Sequence, residues 1–200
     1  NLVLLQGNSH HIFKRIRNEG CVSIGEAVNA HPTALKSILS DDAKLHGVEP
    51  FWSDSIYSAK LSELDLVDYI LCPSRFVASS YISAGFAPDK VLTIPYGSTS
   101  TLANKGLPRF DFAKDKRAAK IIVVGQVFPR KGQYHLVKAL KENCHGLDFE
   151  LTLIGLANGD YLKAIRNLGV PFKHFNHMPH ADVLTKISEH DVLCLNSLED

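Results

Sequence analysis

Short apolar runs alternate with segments of helical periodicity along most of the 200-residue chain. Such runs are typical of strands in a parallel sheet that helices cover on both faces. We predict strands at residues 2–5, 22–24, 69–72, 91–94, 121–124, 149–154, 172–175 and 191–195. Helices are predicted at 10–19, 32–46, 56–65, 75–84, 133–142, 160–168 and 181–189. The alternation therefore predicts an α/β protein with parallel sheets.

The alternation is interrupted between Ser98 and Lys120, where Ser, Thr, Asn, Gly, Pro and charged residues show little periodicity. This texture is typical of a connection between domains. We predict two Rossmann-like, doubly wound domains at residues 1–103 and 119–200, joined by a linker at 104–118. The chain has no initiator Met, begins on a strand and ends just after one, so we expect both domains to be incomplete here.

Charge and hydropathy exclude several classes of function. Lys and Arg total 22 against 21 Asp and Glu, a net charge of +1, which gives no global attraction to nucleic acid or anionic lipid. No apolar run approaches the roughly 18 residues that span a bilayer. The four cysteines form no C-x-x-C pair, which favours buried, reduced thiols and a cytoplasmic protein.

The loop that follows the predicted strand 121–124 carries the clearest chemical signal. It runs from Gly125 to Gly132 and places Arg130 and Lys131 just before a predicted helix. Backbone N–H groups and the helix dipole favour an anion there, and the two cations add charge. The loop is neither a P-loop nor G-x-G-x-x-G. The alternative is a surface loop with two solvated cations.

Two other loops follow predicted strands and carry candidate ligand-binding residues. After the last strand, Glu199 and Asp200 could accept hydrogen bonds from sugar hydroxyls, although an acidic turn that caps the next helix is the alternative. After strand 91–94, Gly97 would permit another backbone to approach closely, although an ordinary turn explains it equally well.

Glu26 and His31 follow the predicted strand 22–24, where the first sheet would face a cleft. Histidine is the side chain best suited to proton transfer near neutral pH, so this pair is a candidate for acid–base catalysis. A structural histidine is the alternative.

His174, His177 and His180 have a spacing that could suggest a metal site. The segment, however, spans a strand end, a turn with Pro179 and a helix start, so one face would not collect all three side chains. We therefore predict no metal site there.

Five segments, in order along the chain, resemble motifs of the retaining GT-B glycosyltransferases of family four. Residues 68–76 resemble "AD-x-I-x-x-PS-x-F", and 85–97 resemble "G-x-x-x-x-K-I-x-V-I-P-x-G". Residues 124–132 resemble "VGR-x-x-x-x-KG", 153–155 are similar to the next strand, and 196–200 resemble the start of "PS-x-x-EGFG". Residues 31–42 also resemble an acceptor-domain segment of polysaccharide-forming members.

The resemblance implies a GT-B fold with a UDP- or GDP-sugar donor bound between the domains, mostly by the C-terminal one. It implies a hexosyltransferase that transfers sugar, with retention of configuration, to an acceptor such as a growing glycan or a lipid-linked sugar. It implies no required metal and no cofactor, since the nucleotide-sugar is a co-substrate. We expect no nucleic-acid partner, and a cytoplasmic protein that can associate peripherally with a membrane surface.

The resemblance also implies roles for individual residues. Lys131 would bind the donor diphosphate within the loop that begins at Gly125. Gln126 stands where many members have Arg, and Arg130 would supply the missing cation. Asp200 falls at the first acid of the family's two-glutamate motif, with Glu199 beside it.

We therefore predict Glu26, His31 and Asp200 as catalytic residues, and we expect this 200-residue piece alone to be inactive. The alternatives are a GT-B sugar-nucleotide epimerase and a non-catalytic nucleotide-sugar-binding module.

Overall fold

A computed structural model of the chain describes residues 2–6, 9–47, 52–97, 110–111 and 114–199, with side chains from Ser9 onward. The chain divides into two compact units. The first comprises residues 1–41, 50–99 and 199–200, and the second comprises 42–49 and 100–198. Most of the linker predicted at 104–118 lies outside the described residues, so the predicted domain boundaries stay predictions.

The first unit contains a parallel sheet of four strands in the order β1-β2-β3-β4. The strands are β1 (Leu2–Gln6), β2 (Val22–Glu26), β3 (Tyr69–Cys72) and β4 (Val91–Thr93). The helices are α1 (His10–Asn18), α2 (Pro32–His46), α3 (Asp54–Leu64) and α4 (Arg75–Ser83), and the last residues of α2, from Asp42, are counted with the second unit. All four strands were predicted from the sequence, and their parallel pairing confirms the prediction.

Local sequence explains both ends of α4. The Ser74 hydroxyl accepts a hydrogen bond from the Val77 N–H at 3.2 Å, which is an N-cap. Gly85 follows the helix with a φ of +107°, a conformation that L side chains rarely adopt. The helix buries Val77 and Tyr81 beside Cys72 in the core of the first unit.

Asp68, in the first of the motif-like segments, joins two strands. One of its carboxylate oxygens accepts hydrogen bonds from the Ser23 N–H and the Ser23 hydroxyl, both at 2.8 Å. The Ser23 backbone N–H is the main reason that the pKa of Asp68 lies below its ordinary value. Because Ser23 lies on β2 and Asp68 directly precedes β3, this contact fixes the pairing of the two strands.

The second unit contains another parallel sheet of four strands, in the order β7-β6-β5-β8. The strands are β5 (Ala119–Val124), β6 (Phe149–Ile154), β7 (Phe172–Phe175) and β8 (Val192–Cys194). The helices are α5 (Gln133–Asn143), α6 (Gly159–Arg166) and α7 (His180–Ser188). The alternation predicted from the sequence is confirmed here as well, and the core lies where Val137 and Ile165 pack on the central strands.

An ion pair holds the start of the edge strand β8 against β5. The Arg117 guanidinium donates to both carboxylate oxygens of Asp191, at 2.7 and 2.6 Å. The Lys120 N–H donates to the same carboxylate at 2.8 Å, and the Asp191 N–H donates to the Lys120 carbonyl at 2.8 Å. The Arg117 hydrogen bonds are the main cause that lowers the pKa of Asp191 to about 2.

All four cysteines are free thiols. Cys72 is buried, and burial raises its pKa to about 11, so it is an inert core thiol. Cys21, Cys144 and Cys194 are only partly buried, contrary to prediction, because Cys21 precedes β2, Cys144 follows the helix that ends at Asn143, and Cys194 lies on the last strand of the described sheet. Within the described ranges, every helix is too short or too polar to cross a bilayer.

Candidate functional site

The strand order of the second unit reverses between β5 and β8, where open parallel sheets form a crevice at the carboxyl ends of the strands. From β5 the chain adds β6 and β7 on one side, and then returns to place β8 on the other side. In open parallel sheets, ligands bind beyond the carboxyl ends of the strands at the point where the order reverses. That point lies between β5 and β8, so the loops that follow these two strands are the first place to look for a ligand.

Two glycines let the loop after β5 and the end of β6 approach each other closely. Gly125 has a φ of +142° and Gly155 a φ of +148°. A Cβ added at Gly155 would lie 2.0 Å from the Gly125 carbonyl oxygen. The Gly125 N–H donates to the Ile154 carbonyl at 2.8 Å. The carboxyl ends of β5 and β6 therefore form one continuous backbone surface.

Lys131 folds back toward the end of β5. Pro129–Lys131 form a short 3-10 helix, and Gly132, with a φ of +66°, starts α5. A Cβ added at Gly125 would lie 3.8 Å from Lys131 Cε, so the aliphatic chain of Lys131 covers Gly125. Arg130 belongs to the same turn, and its carbonyl accepts a hydrogen bond from the Leu198 N–H at 2.8 Å. The turn thus connects the loop after β5 to the loop after β8.

Several polar groups in the first turn of α5 already have hydrogen-bond partners within the protein. The Tyr134 N–H donates to the Tyr161 hydroxyl at 3.0 Å, and the His135 N–H donates to the Gly132 carbonyl at 3.0 Å. The Gln133 side-chain amide donates to the Gln126 carbonyl at 2.9 Å. Because Tyr161 caps one backbone donor, attraction for an anion at this helix end depends more on Lys131 and Arg130 than on the helix amides.

Asn196 is a polar residue of the crevice whose burial the sequence did not reveal. It follows β8, and a Cβ added at Gly132 would lie 2.3 Å from the Asn196 carbonyl oxygen and 3.0 Å from its Nδ2. Both polar atoms of the Asn196 side chain are buried without a hydrogen-bond partner among the described residues. From the sequence, an Asn after a strand indicates only a turn; a buried, unsatisfied amide indicates a place for a ligand.

Glu199, predicted to bind the donor sugar, hydrogen-bonds to the protein within the first unit. Its Oε1 accepts from the Ala30 N–H at 2.7 Å, and its Oε2 accepts from the Asn29 amide at 3.2 Å. The residue is 1% exposed. Sugar binding by Glu199 stays a prediction, and Asp200, its predicted neighbour in the site, lies outside the described residues.

A cavity of about 250 Å³ opens in the first unit at the carboxyl end of β2. Glu26, a predicted catalytic residue, lines it. The other polar or charged lining residues are Asn29, Lys60 and Glu63, and aromatic walls come from Phe13, Trp52 and Tyr81. Carboxylates beside aromatic surfaces can bind a sugar ring through its hydroxyls and its apolar face.

His31, the other predicted acid–base residue of the first unit, is buried, with 6% of its surface exposed. Its ring makes edge contacts with Tyr81 and Phe86, at centroid distances of 5.2 and 6.4 Å. Nδ1 accepts a hydrogen bond from the Thr33 N–H at 3.3 Å, and burial lowers the pKa of His31. This geometry is that of a neutral imidazole in a protein core. The catalytic role of His31 stays a prediction.

Because the buried imidazole of His31 is neutral in the folded state, we expect it to reduce stability in acid. Its folded pKa lies below the ordinary value of 6.5, so the unfolded chain binds the proton first as the pH falls. The free energy of unfolding should therefore fall below pH ~6.5, by at most ~1.4 kcal/mol per pH unit from this residue. Urea denaturation between pH 7.5 and 5.5 should show a smaller loss for His31→Gln than for the wild type.

The matched control for that comparison is His145→Gln, because His145 is exposed. This variant should keep the pH dependence of the wild type. Equal pH dependence in the wild type and His31→Gln would contradict the assignment of His31 as a buried neutral imidazole.

Two other predictions concern Gly97 and the three closely spaced histidines. A Cβ at Gly97 would meet no described atom within 4 Å, whereas close backbone approaches occur at Gly132 and Gly155. His174 Nε2 lies 2.9 Å from the Gly155 carbonyl oxygen, within hydrogen-bond distance. Asp42, His46 and His135 are the group in the described ranges with metal-ligand spacing, and this group does not include His174, His177 or His180.

Known proteins are similar to this chain in structure, but no sequence comparison finds a match. No family model and no curated protein matches the sequence. The fold is similar to the lipopolysaccharide outer core galactosyltransferase WaaB, with a TM-score of 0.56 and 18% identity over 94% of this chain and 53% of that one. Anabaena Alr3699/HepE in complex with UDP and glucose has a TM-score of 0.58 and 15% identity, over 97% of this chain and 52% of that one. The apo structure of OtsA has a TM-score of 0.59 and 12% identity, over 98% of this chain and 52% of that one.

These likenesses establish the fold. The predicted class, α/β with two Rossmann-like domains of the GT-B type, is confirmed, and the chain spans about half the length of the structures it matches. At such low sequence identity, a shared fold does not establish a shared activity, so function must be argued from the residues of the site.

Proposed function

We propose that this chain is part of a glycosyltransferase that uses a nucleotide-sugar donor, a UDP- or GDP-sugar. The observation that carries the proposal is the reversal of strand order between β5 and β8, where the turn that holds Arg130 and Lys131 packs against the segment of Asn196, whose side-chain amide is buried without a partner among the described residues. Two cations and an unsatisfied amide suit a diphosphate with its attached sugar. Support comes from the fold neighbours, since the HepE structure holds UDP and glucose.

In the proposed reaction, the bond between the anomeric carbon and the diphosphate breaks, and negative charge grows on the leaving phosphate. Lys131 and Arg130 stabilise that charge more strongly in the transition state than in the bound donor. They supply this stabilisation without a metal ion. Retention of configuration, a hexosyl donor and membership of family four are proposed on the motif resemblance.

We propose that the acceptor, a growing glycan or a lipid-linked sugar, binds in the cavity of the first unit. Glu26 offers carboxylate oxygens to sugar hydroxyls, and the rings of Phe13 and Tyr81 line the same cavity. Glu26 would then orient the attacking hydroxyl, or accept its proton.

Incubation of the full-length protein with a panel of nucleotide-sugars, with and without glycan acceptors, tests the proposed function. We expect glycosylated product and free nucleoside diphosphate, with the product formed only when an acceptor is present. Conversion of the sugar without acceptor would show an epimerase instead. Binding of nucleotide-sugars without turnover, under any acceptor tried, would show a binding module.

We expect Asn196→Ala to weaken donor binding while it leaves folding nearly unchanged. The ligand-free protein loses an amide that has no partner, so the free energy of unfolding should change by no more than ~0.5 kcal/mol. The donor loses a hydrogen bond worth ~1.4 kcal/mol, which is about tenfold in Kd. Calorimetric titration with UDP-glucose and GDP-glucose, together with urea denaturation, measures both effects.

The matched control for Asn196→Ala is Asn167→Ala, since Asn167 is exposed at the end of α6. It should change donor affinity less than twofold. Unchanged donor affinity in Asn196→Ala would contradict the placement of the donor at this crevice.

A further inference from the structure

Two histidines and an aspartate converge within the second unit, at a place that the proposed transfer reaction does not use. Asp42 and His46 lie one turn apart at the end of α2, and His135 lies in the first turn of α5. Asp42 Oδ1 is 2.5 Å from His135 Nε2 and 3.5 Å from His46 Nε2. One ligand atom from each residue lies within 4.8 Å of the others.

The hydrogen bonds inside this cluster do not satisfy it. The side chains of His46 and Asp42 are 2% and 6% exposed. His46 Nε2 and Asp42 Oδ2 are both buried without a hydrogen-bond partner among the described residues. Buried polar atoms are ordinarily paired, so the unpaired His46 Nε2, which lies 3.5 Å from Asp42 Oδ1 in the same cluster, indicates a missing ligand.

Aromatic rings pack against His46, whereas His135 is partly exposed to solvent. The His46 ring packs against Tyr134 and Tyr161, at centroid distances of 4.1 and 5.3 Å. Tyr161 is itself fixed, because its hydroxyl accepts a hydrogen bond from the Tyr134 N–H. The side chain of His135, in contrast, is 41% exposed, which gives an ion a path from solvent.

We propose that Asp42, His46 and His135 bind a Zn²⁺ ion, with solvent in the fourth position. Two imidazoles and one carboxylate are a ligand set that zinc accepts, and Mg²⁺ or Ca²⁺ would require more oxygen ligands. Tetrahedral coordination at ~2.0–2.1 Å places ligand atoms ~3.3 Å apart. The 3.5 Å separation of His46 Nε2 from Asp42 Oδ1 already fits, and the 2.5 Å separation of His135 Nε2 from Asp42 Oδ1 must lengthen by ~0.8 Å.

The proposed ion joins the last turn of α2 to the first turn of α5. It satisfies His46 Nε2, and it replaces the His135–Asp42 hydrogen bond with two coordinate bonds. A hydrogen-bonded His–Asp–His group without an ion leaves the buried His46 Nε2 unpaired. The site is separate from the transfer reaction, whose cations are Lys131 and Arg130.

Calorimetric titration of the metal-stripped, full-length protein with zinc sulfate tests the proposal. We expect one ion per site, and a loss of affinity of at least ~10- to 100-fold in His46→Ala, Asp42→Asn and His135→Gln. His145→Ala, which removes an exposed histidine of the same unit, should stay within twofold of the wild type. His177→Ala is a second control, from the histidine run that the cluster does not include.

His135→Gln keeps the test decisive if the two buried substitutions impair folding, because the His135 side chain is partly exposed. In addition, Zn²⁺ should raise the Tm of the wild type and of His145→Ala, but not that of His135→Gln. The proposal is overturned if the wild type binds no zinc, or if His135→Gln binds zinc and gains Tm as the wild type does.

Discussion

In the proposed transfer reaction, Lys131→Ala should lower kcat/KM of the full-length protein by about 30- to 1,000-fold. A solvated loop cation contributes only ~0–1 kcal/mol, because water screens it. The Lys131 chain instead lies over Gly125 at the end of β5, where the strand order reverses. A cation bonded to the leaving phosphate at such a place contributes ~2–4 kcal/mol to the transition state. Steady-state transfer rates and donor affinities measure the loss.

Three companion variants make the Lys131 result specific. Lys131→Arg should recover part of the activity, because it keeps the charge and changes the geometry. Gln126→Arg should be tolerated, since it restores the residue common in the family that the motifs resemble. Lys163→Ala removes an exposed lysine of α6 and should leave activity unchanged. Near-normal activity in Lys131→Ala would show that the loop is an ordinary surface turn.

Gly155→Ala should have the largest effect on stability among the changes discussed, roughly 3–5 kcal/mol in the free energy of unfolding. The φ of +148° strains any L side chain, at a cost of ~1–3 kcal/mol. The new Cβ would also lie 2.0 Å from the Gly125 carbonyl oxygen, which belongs to backbone and cannot rotate away. The ends of β5 and β6 must therefore separate. Urea denaturation of the variant measures the cost.

Gly169→Ala separates backbone strain from steric clash. Gly169 also has a positive φ, +79°, but a Cβ there would meet nothing within 4 Å. It should cost only ~1–2 kcal/mol, the penalty of a left-handed conformation without a clash. Similar losses in the two variants would contradict the close approach at Gly155.

The strands and helices were predictable because their signals are local. Each buried strand, such as β5 or β6, is a continuous apolar run between helical segments, and a parallel sheet requires that pattern. The helix ends were predictable for the same reason, since Ser74 and Gly85 act on adjacent residues. The partial exposure of Cys194 was not predictable from the sequence, because it depends on β8 being the last strand of the described sheet.

The candidate site was predictable only in part. Lys131 and Arg130 stand out because two cations directly precede a helix in one loop. The burial of the Asn196 side-chain amide depends on packing against Gly132, 64 positions earlier in the chain, and no local signal encodes that contact.

The proposed zinc ligands were predictable only in part as well. Asp42 and His46 are one helical turn apart in the sequence, but His135 is 93 positions from Asp42. The burial of His31 was not predictable either, because its ring contacts with Tyr81 and Phe86 join residues about 50 positions apart.

Hydrogen–deuterium exchange of the full-length protein, with and without a saturating nucleotide-sugar, tests the placement of the donor most directly. The loops after β5 and β8 flank the proposed diphosphate site, so amides in residues 125–136 and 195–199 should exchange more slowly in the presence of donor. Transfer activity measured in the same preparation shows that the donor is used. Slower exchange in both segments is the result expected. Unchanged exchange in both, with a donor that the protein consumes, would contradict the placement of the reaction between β5 and β8.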